Sequence, residues 1–131
     1  MNILFVCKYN RFRSKVAEAF FNKLNKNSFC KTKTAGIFKA TCIGNELRGK
    51  VKQFGISIKE YPKCINAKLL NWQDIIIVVA DDVPSVIFKE YVKKKLIIWG
   101  IPNLTDDHDK KINKIIKLIR KRVSDLVKEL G

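Results

Sequence analysis

The sequence predicts an α/β fold, a parallel sheet covered by helices on both faces, and three observations carry that expectation. Apolar runs of strand length alternate with segments of helical period along the 131 residues, the pattern produced when crossover helices join parallel strands. The run Asp74–Ala80 is nearly all β-branched, as a strand buried on both faces requires. No internal repeat, low-complexity segment or Gly/Ser/Pro-rich linker breaks the chain, so residues 1–131 read as a single domain, long enough for one core and too short for two.

Four strands are expected. Asn2–Cys7 is the first, and Ser14–Asn25 follows as a helix because Val16, Ala17, Phe20, Phe21 and Leu24 recur on one side. Phe29–Ala35 is the second strand, ended by Gly36; Gly44–Phe54 then reads as a helix stopped by Gly55. Asn66–Asn71 is a short helix or turn, and Asp74–Ala80 the third strand. Val83–Val92 is a further helix with Pro84 near its first turn. Leu96–Ile101 is the fourth strand. From Lys110 to Gly131 a long helix closes the domain, with Ile112, Ile115, Ile116, Ile119, Val123, Leu126, Val127 and Leu130 on its apolar face. Ligands of such sheets bind beyond the carboxyl ends of the strands, where strand order reverses, so the end of the first strand is the place for a site.

Composition narrows the class of function. Lys and Arg number 27 against 12 Asp and Glu, a net charge of +15, which attracts anionic ligands. The lysines are scattered, and in the last helix they cover the solvent side, so a nucleic-acid groove is disfavoured. The longest apolar runs fall far short of the roughly 20 residues of a bilayer span, and the N-terminus lacks the features of a signal peptide. Cys7, Cys30, Cys42 and Cys64 form no Cys-x-x-Cys pair, and the one histidine is His108; no metal site is expected, and reduced thiols in a cytoplasm are.

Immediately after the first strand stands Cys7-Lys8-Tyr9-Asn10-Arg11-Phe12-Arg13-Ser14, a Cys-x5-Arg-Ser run leading into a helix. Five intervening residues can wrap the backbone into a ring with inward N–H groups, and the helix that follows adds its positive end. Such a cup binds a phosphate dianion and favours a thiolate, which is the nucleophilic form of cysteine. Arg13 supplies a planar fork for two phosphoryl oxygens, and Ser14 a hydroxyl that stabilises the sulfur as it leaves. In a purely structural role Cys7 would be a small buried hydrophobe and Ser14 a helix cap; the strand before and the helix after favour the cup.

These residues resemble the low-molecular-weight protein tyrosine phosphatase family, which includes thioredoxin-coupled arsenate reductases. Its pattern Val-Cys-x-Gly-Asn-x-x-Arg-Ser, with Ala-Glu in the next helix, is matched by Val6-Cys7, Asn10, Arg13-Ser14 and Ala17-Glu18. Thr34-Ala35-Gly36, Gly55-Ile56, Asp74-Ile75-Ile76 and Trp99-Gly100-Ile101-Pro102 extend the likeness over essentially the whole chain. The resemblance implies three α-β-α layers around a four-stranded parallel sheet in flavodoxin-like order 2-1-3-4. It implies a cofactor-free, cytoplasmic phosphatase acting on a phosphorylated protein or small phosphomonoester through a cysteinyl-phosphate. Cys7 is then the nucleophile and Arg13 the clamp, while Lys8, Tyr9, Asn10, Arg11, Phe12 and Ser14 form the substrate loop. Asn10 holds the loop by hydrogen bonds to neighbouring backbone, with Thr34 in the supporting network in place of a family Ser. Asp81 or Asp82 would either brace Arg13 or cap the helix at Pro84, and capping is the favoured role.

Three departures from the family pattern bear on mechanism. Tyr9 replaces a Gly, and Phe12 stands where a second loop cysteine is often found. Asn103-Leu104 occupies the place of the Asp-Pro that supplies the general acid, and an amide cannot donate that proton. Asp106 is the favoured substitute, followed by Asp107 and then His108; capping of the last helix is the competing role for both carboxylates. The aromatic pair that rims many family pockets is missing from this loop, leaving Tyr9, Phe38 or Trp72 as candidates. An arsenate reductase is the alternative on the same scaffold, disfavoured because Val79–Pro84 lacks the paired cysteines expected there. A non-catalytic phosphate or phosphoprotein sensor is the alternative from another class.

Overall fold

The computed structural model describes residues 1–40, 45–59, 61–103 and 109–130. Alternation along the first strand, β1 (Asn2–Cys7), gives it two apolar faces, and both are covered. Ile3 and Phe5 pack with Val16, Ala17, Phe20 and Phe21 of α1 (Arg13–Leu24) and with the Ile112, Ile115, Ile116 and Ile119 face of α4 (Asp109–Leu130). Leu4 and Val6 meet the opposite layer, which contains Phe88, Leu69 and Leu70. Burying one such side chain contributes about 1.5–3 kcal/mol, so this period-two pattern fixes which face each helix covers.

The remaining strands are β2 (Lys31–Gly36), β3 (Ile75–Val79) and β4 (Lys95–Trp99). All pairings are parallel, as the alternating pattern implies, and the order is β2-β1-β3-β4, as the family resemblance implies. Register places Cys7 opposite Gly36 and Val79 opposite Trp99. The order reverses at β1, so the loop leaving Cys7 emerges at the switch point. Between these strands lie α2 (Asn45–Lys52) and α3 (Ala67–Trp72).

Four boundaries differ from expectation for local reasons. The second strand starts at Lys31 rather than Phe29, because Asn27 holds the Phe29 N–H on its side chain and the Cys30 N–H on its carbonyl, a turn that competes with the ladder. The fourth strand stops at Trp99. There the Ile101 N–H folds back onto the Trp99 carbonyl (2.8 Å), which frees Ile101 to turn toward the site. The helix expected at Val83–Val92 is a 3₁₀ helix, Ser85–Tyr91, with Pro84 at its cap position and no side-chain cap hydrogen bond. The helix expected from Gly44 is described from Asn45 and ends at Lys52; Gly55, at φ +77°, adopts the left-handed conformation of a stop.

Candidate active site

β1 delivers Cys7 to a cavity of about 400 Å³ that is also lined by Tyr9, Arg11, Phe12, Arg13, Leu47 and Asn103. Cys7 is buried, and its Sγ lies 3.1 Å from the Ser14 hydroxyl. Ser14 also accepts from the Asn10 amide nitrogen at 2.7 Å, and the Asn10 side-chain oxygen accepts from the Lys63 main-chain N–H at 2.8 Å. Asn10 and Ser14 are fully buried. They brace the loop from beneath instead of lining it, and the backbone that Asn10 grips is distant in sequence rather than neighbouring. Lys8 does not line the cavity, and its ammonium lies 5.4 Å from the centre of the Tyr9 ring.

Arg13 is the first residue of α1 and is almost wholly buried. Its Nη1 donates to the Ile101 carbonyl at 3.0 Å, its Nη2 stands 2.9 Å from Asp82 Oδ1, and Asp81 Oδ1 is 3.8 Å away. The favoured capping role of these two aspartates is therefore corrected. Pro84 occupies the cap position, and the turn leaving β3 carries both carboxylates to the guanidinium instead. A planar fork held on two sides is preorganised to meet two oxygens of an oxyanion.

The Tyr9 substitution is resolved by its neighbour. Asn10, at φ 55°, is the one non-glycine residue with positive φ among the described residues, and asparagine tolerates that conformation. Tyr9 therefore needs none of glycine's freedom. Its ring packs 6.0 Å from that of Phe38, and both are exposed. Phe38 is tied to the loop by its N–H donating to the Lys8 carbonyl (3.0 Å). Trp72, the other rim candidate, packs in the layer with Leu4 and Val6.

Thr34 does not join the loop network. Register sets it opposite Phe5, two residues below the Cys7–Gly36 level, about 7 Å down the strand, where it lines a different cavity. Gly36 is the residue of β2 that touches the loop. A Cβ there would lie 2.5 Å from the Tyr9 carbonyl carbon and 2.6 Å from the Asn10 nitrogen, and backbone cannot yield as a side-chain tip can. Gly36→Ala is expected to displace the loop and to destabilise the chain by about 1–3 kcal/mol; a urea midpoint and phosphate affinity, both reduced, check it. An unchanged phosphate affinity would show that the close approach is not needed.

Asn103, at the family's general-acid place, lines the cavity. Asp106, Asp107 and His108 lie outside the described residues, as does Cys42. Sequence reasoning missed the Leu47 wall, the Ile101 carbonyl and the Lys63 N–H, none of which carries a local signal.

The fold and cavity define an α/β protein that holds a cysteine and a clamped arginine at the switch point of a parallel sheet. The chain belongs to the low molecular weight phosphotyrosine protein phosphatase family, whose model matches residues 2–131. An arsenate reductase from Archaeoglobus fulgidus is 27% identical, with a TM-score of 0.75 over 95% of this chain and 98% of that one. A low molecular weight protein tyrosine phosphatase from T. tengcongensis superimposes with a TM-score of 0.81 at 22% identity, covering 98% of this chain and 99% of its own. The YwlE arginine phosphatase from Geobacillus stearothermophilus gives 0.83 at 18%, covering 98% and 92%. These last two share the fold. No curated protein sequence matches the chain.

Proposed function

We propose that the protein is a phosphatase that hydrolyses phosphotyrosine or small aryl phosphate monoesters. The observation that carries this reading is the convergence of Cys7, Arg13 and the start of α1 on one cavity, with Ser14 3.1 Å from the sulfur. The Cys7 thiolate attacks phosphorus and forms an S–P bond as the bond to the leaving oxygen breaks, while Arg13 and the helix terminus carry the developing charge. Water then cleaves the S–P bond, and the Ser14 hydroxyl stabilises the departing sulfur. The exposed Tyr9–Phe38 pair beside the cavity offers an aromatic surface to an aryl leaving group. A reducing cytoplasm suits a free thiol, and no helix among the described residues is long and apolar enough to cross a membrane.

The test is turnover of p-nitrophenyl phosphate without added metal, together with acid-quench trapping of labelled phosphate on Cys7. Turnover without a trapped adduct would overturn the covalent route. Asp106 is the proposed general acid and must be protonated to act, so activity falls as pH rises through its pKa. Asp106→Asn is expected to lose 10²–10⁴-fold on a poor leaving group and to flatten that alkaline limb; an unchanged profile would remove Asp106 from the mechanism.

The 27% identity with an arsenate reductase favours a second reading, in which Cys7 attacks arsenate and further thiols supply the electrons. Asp81 and Asp82, which follow β3 where paired cysteines would be needed, are engaged with Arg13 instead. Arsenate-dependent oxidation of thioredoxin with negligible phosphatase turnover would establish this reading. Phosphate binding with neither activity would mark a sensor.

A further inference from the structure

On the other side of the Asn10 brace, a second cavity of about 350 Å³ opens between α1 and the chain that follows α2. Lys15, Lys59 and Lys63 line it with Thr32, Ser57 and Glu18. Glu18 is its one carboxylate among the described residues, and it already accepts a 2.9 Å hydrogen bond from the Thr32 hydroxyl. Lys33 also borders the cavity but lays its ammonium 4.6 Å from the centre of the Trp72 ring.

Lys15 is 6% exposed, and its ammonium donates to the Tyr61 carbonyl at 2.9 Å. An ammonium has further N–H groups to satisfy. Burial pushes its pKa below the ordinary lysine value; Glu18 opposes that shift, and Lys63 and Lys59 add to it. Three cations thus face one carboxylate, an arrangement that a bound anion relieves in both charge and hydrogen bonding.

We propose that this cavity is a second anion site, binding a phosphate group either free or carried on a small molecule, and that its occupation is felt at Cys7. The connection runs through Lys63. While its side chain lines the cavity, its main-chain N–H holds Asn10 (2.8 Å) and its carbonyl accepts from the Gly36 N–H (2.8 Å). Asn10 in turn holds Ser14, which touches Cys7. An anion that draws the Lys63 ammonium inward tugs on the same residue that positions this brace.

The experiment uses the full chain carrying Arg13→Ala, so that the Cys7 cavity lacks its clamp, and follows backbone amide resonances during titration with inorganic phosphate and, separately, glycerol phosphate. Saturable shifts at Lys59 and Lys63 accompanied by shifts at Asn10 and Ser14 are expected, and the tighter of the two probes names the source. Adding Lys59→Gln and Lys63→Gln, both at exposed positions, should weaken binding by about tenfold or more. Should Arg13→Ala fail to fold, the unmodified chain gives the readout by difference: the lysine pair then removes one of two saturable sets of shifts, and coupling requires that the set it removes include Asn10 and Ser14. No saturable shift at Lys59 and Lys63, or an affinity indifferent to the lysine pair, overturns the site. Shifts confined to Lys59 and Lys63 overturn the coupling. Since the readout is binding, it stands or falls separately from phosphatase turnover.

Discussion

Cys7→Ser is expected to leave a folded chain whose turnover of p-nitrophenyl phosphate falls roughly 10⁴-fold or more. Serine is nearly the same size as cysteine and keeps a polar contact with Ser14, which lies 3.1 Å from the sulfur, so the loop has no packing reason to rearrange. The loss is chemical. An alcohol is a weak nucleophile at its free pKa, and the described residues that line the cavity include no carboxylate or imidazole to activate it, whereas a thiol ionises readily enough to attack unaided. Parent-like turnover in Cys7→Ser, with a superimposable circular dichroism spectrum, would mean that no sulfur nucleophile takes part.

Arg13→Lys carries the second large effect. The guanidinium spans from the Ile101 carbonyl to Asp82 while bordering the cavity, a reach that depends on donors spread across a plane. An ammonium keeps the charge but loses the fork, so one of the carboxylate, the carbonyl or the substrate goes without a donor. By comparison with the loss of one preorganised oxyanion donor, kcat should fall by about 10²–10³-fold. In the proposed mechanism the arginine acts mainly on charge that develops in the transfer, so kcat is expected to change more than KM, and vanadate affinity should weaken alongside it. A variant that loses KM and keeps kcat would reduce Arg13 to a ground-state binder.

The proximities legible in advance are local ones, with Cys7 and Arg13 on one cavity and Ser14 beside the sulfur. Cys7, Arg13 and Ser14 fall within one turn-forming run between a strand and a helix, so spacing alone brings them together. What failed depended on register and on chain crossing. Thr34 looks like a neighbour of the loop until pairing with Phe5 sets it two residues short. Asp82 is equally well placed in sequence to cap a helix or to reach Arg13, and Pro84 at the cap position together with a buried cation decides it. Nothing near Lys15 marks it as buried, since a lysine in the first turn of a helix is ordinarily solvated.

The amino-acid sequence by itself determined the alternating apolar periods, hence the parallel sheet, and the cysteine-to-arginine spacing that brings Cys7 and Arg13 to one cavity at the end of β1; both follow from backbone geometry over a few consecutive residues. Tertiary structure alone decided what braces the loop between them. Gly36 approaches the Tyr9 backbone too closely for any side chain, the Lys63 N–H anchors Asn10 from 53 residues away, and the Ile101 carbonyl meets Arg13 across 88. Such contacts depend on strand order and register, which are set by how the apolar faces pack and carry no mark on the polar residues they bring together.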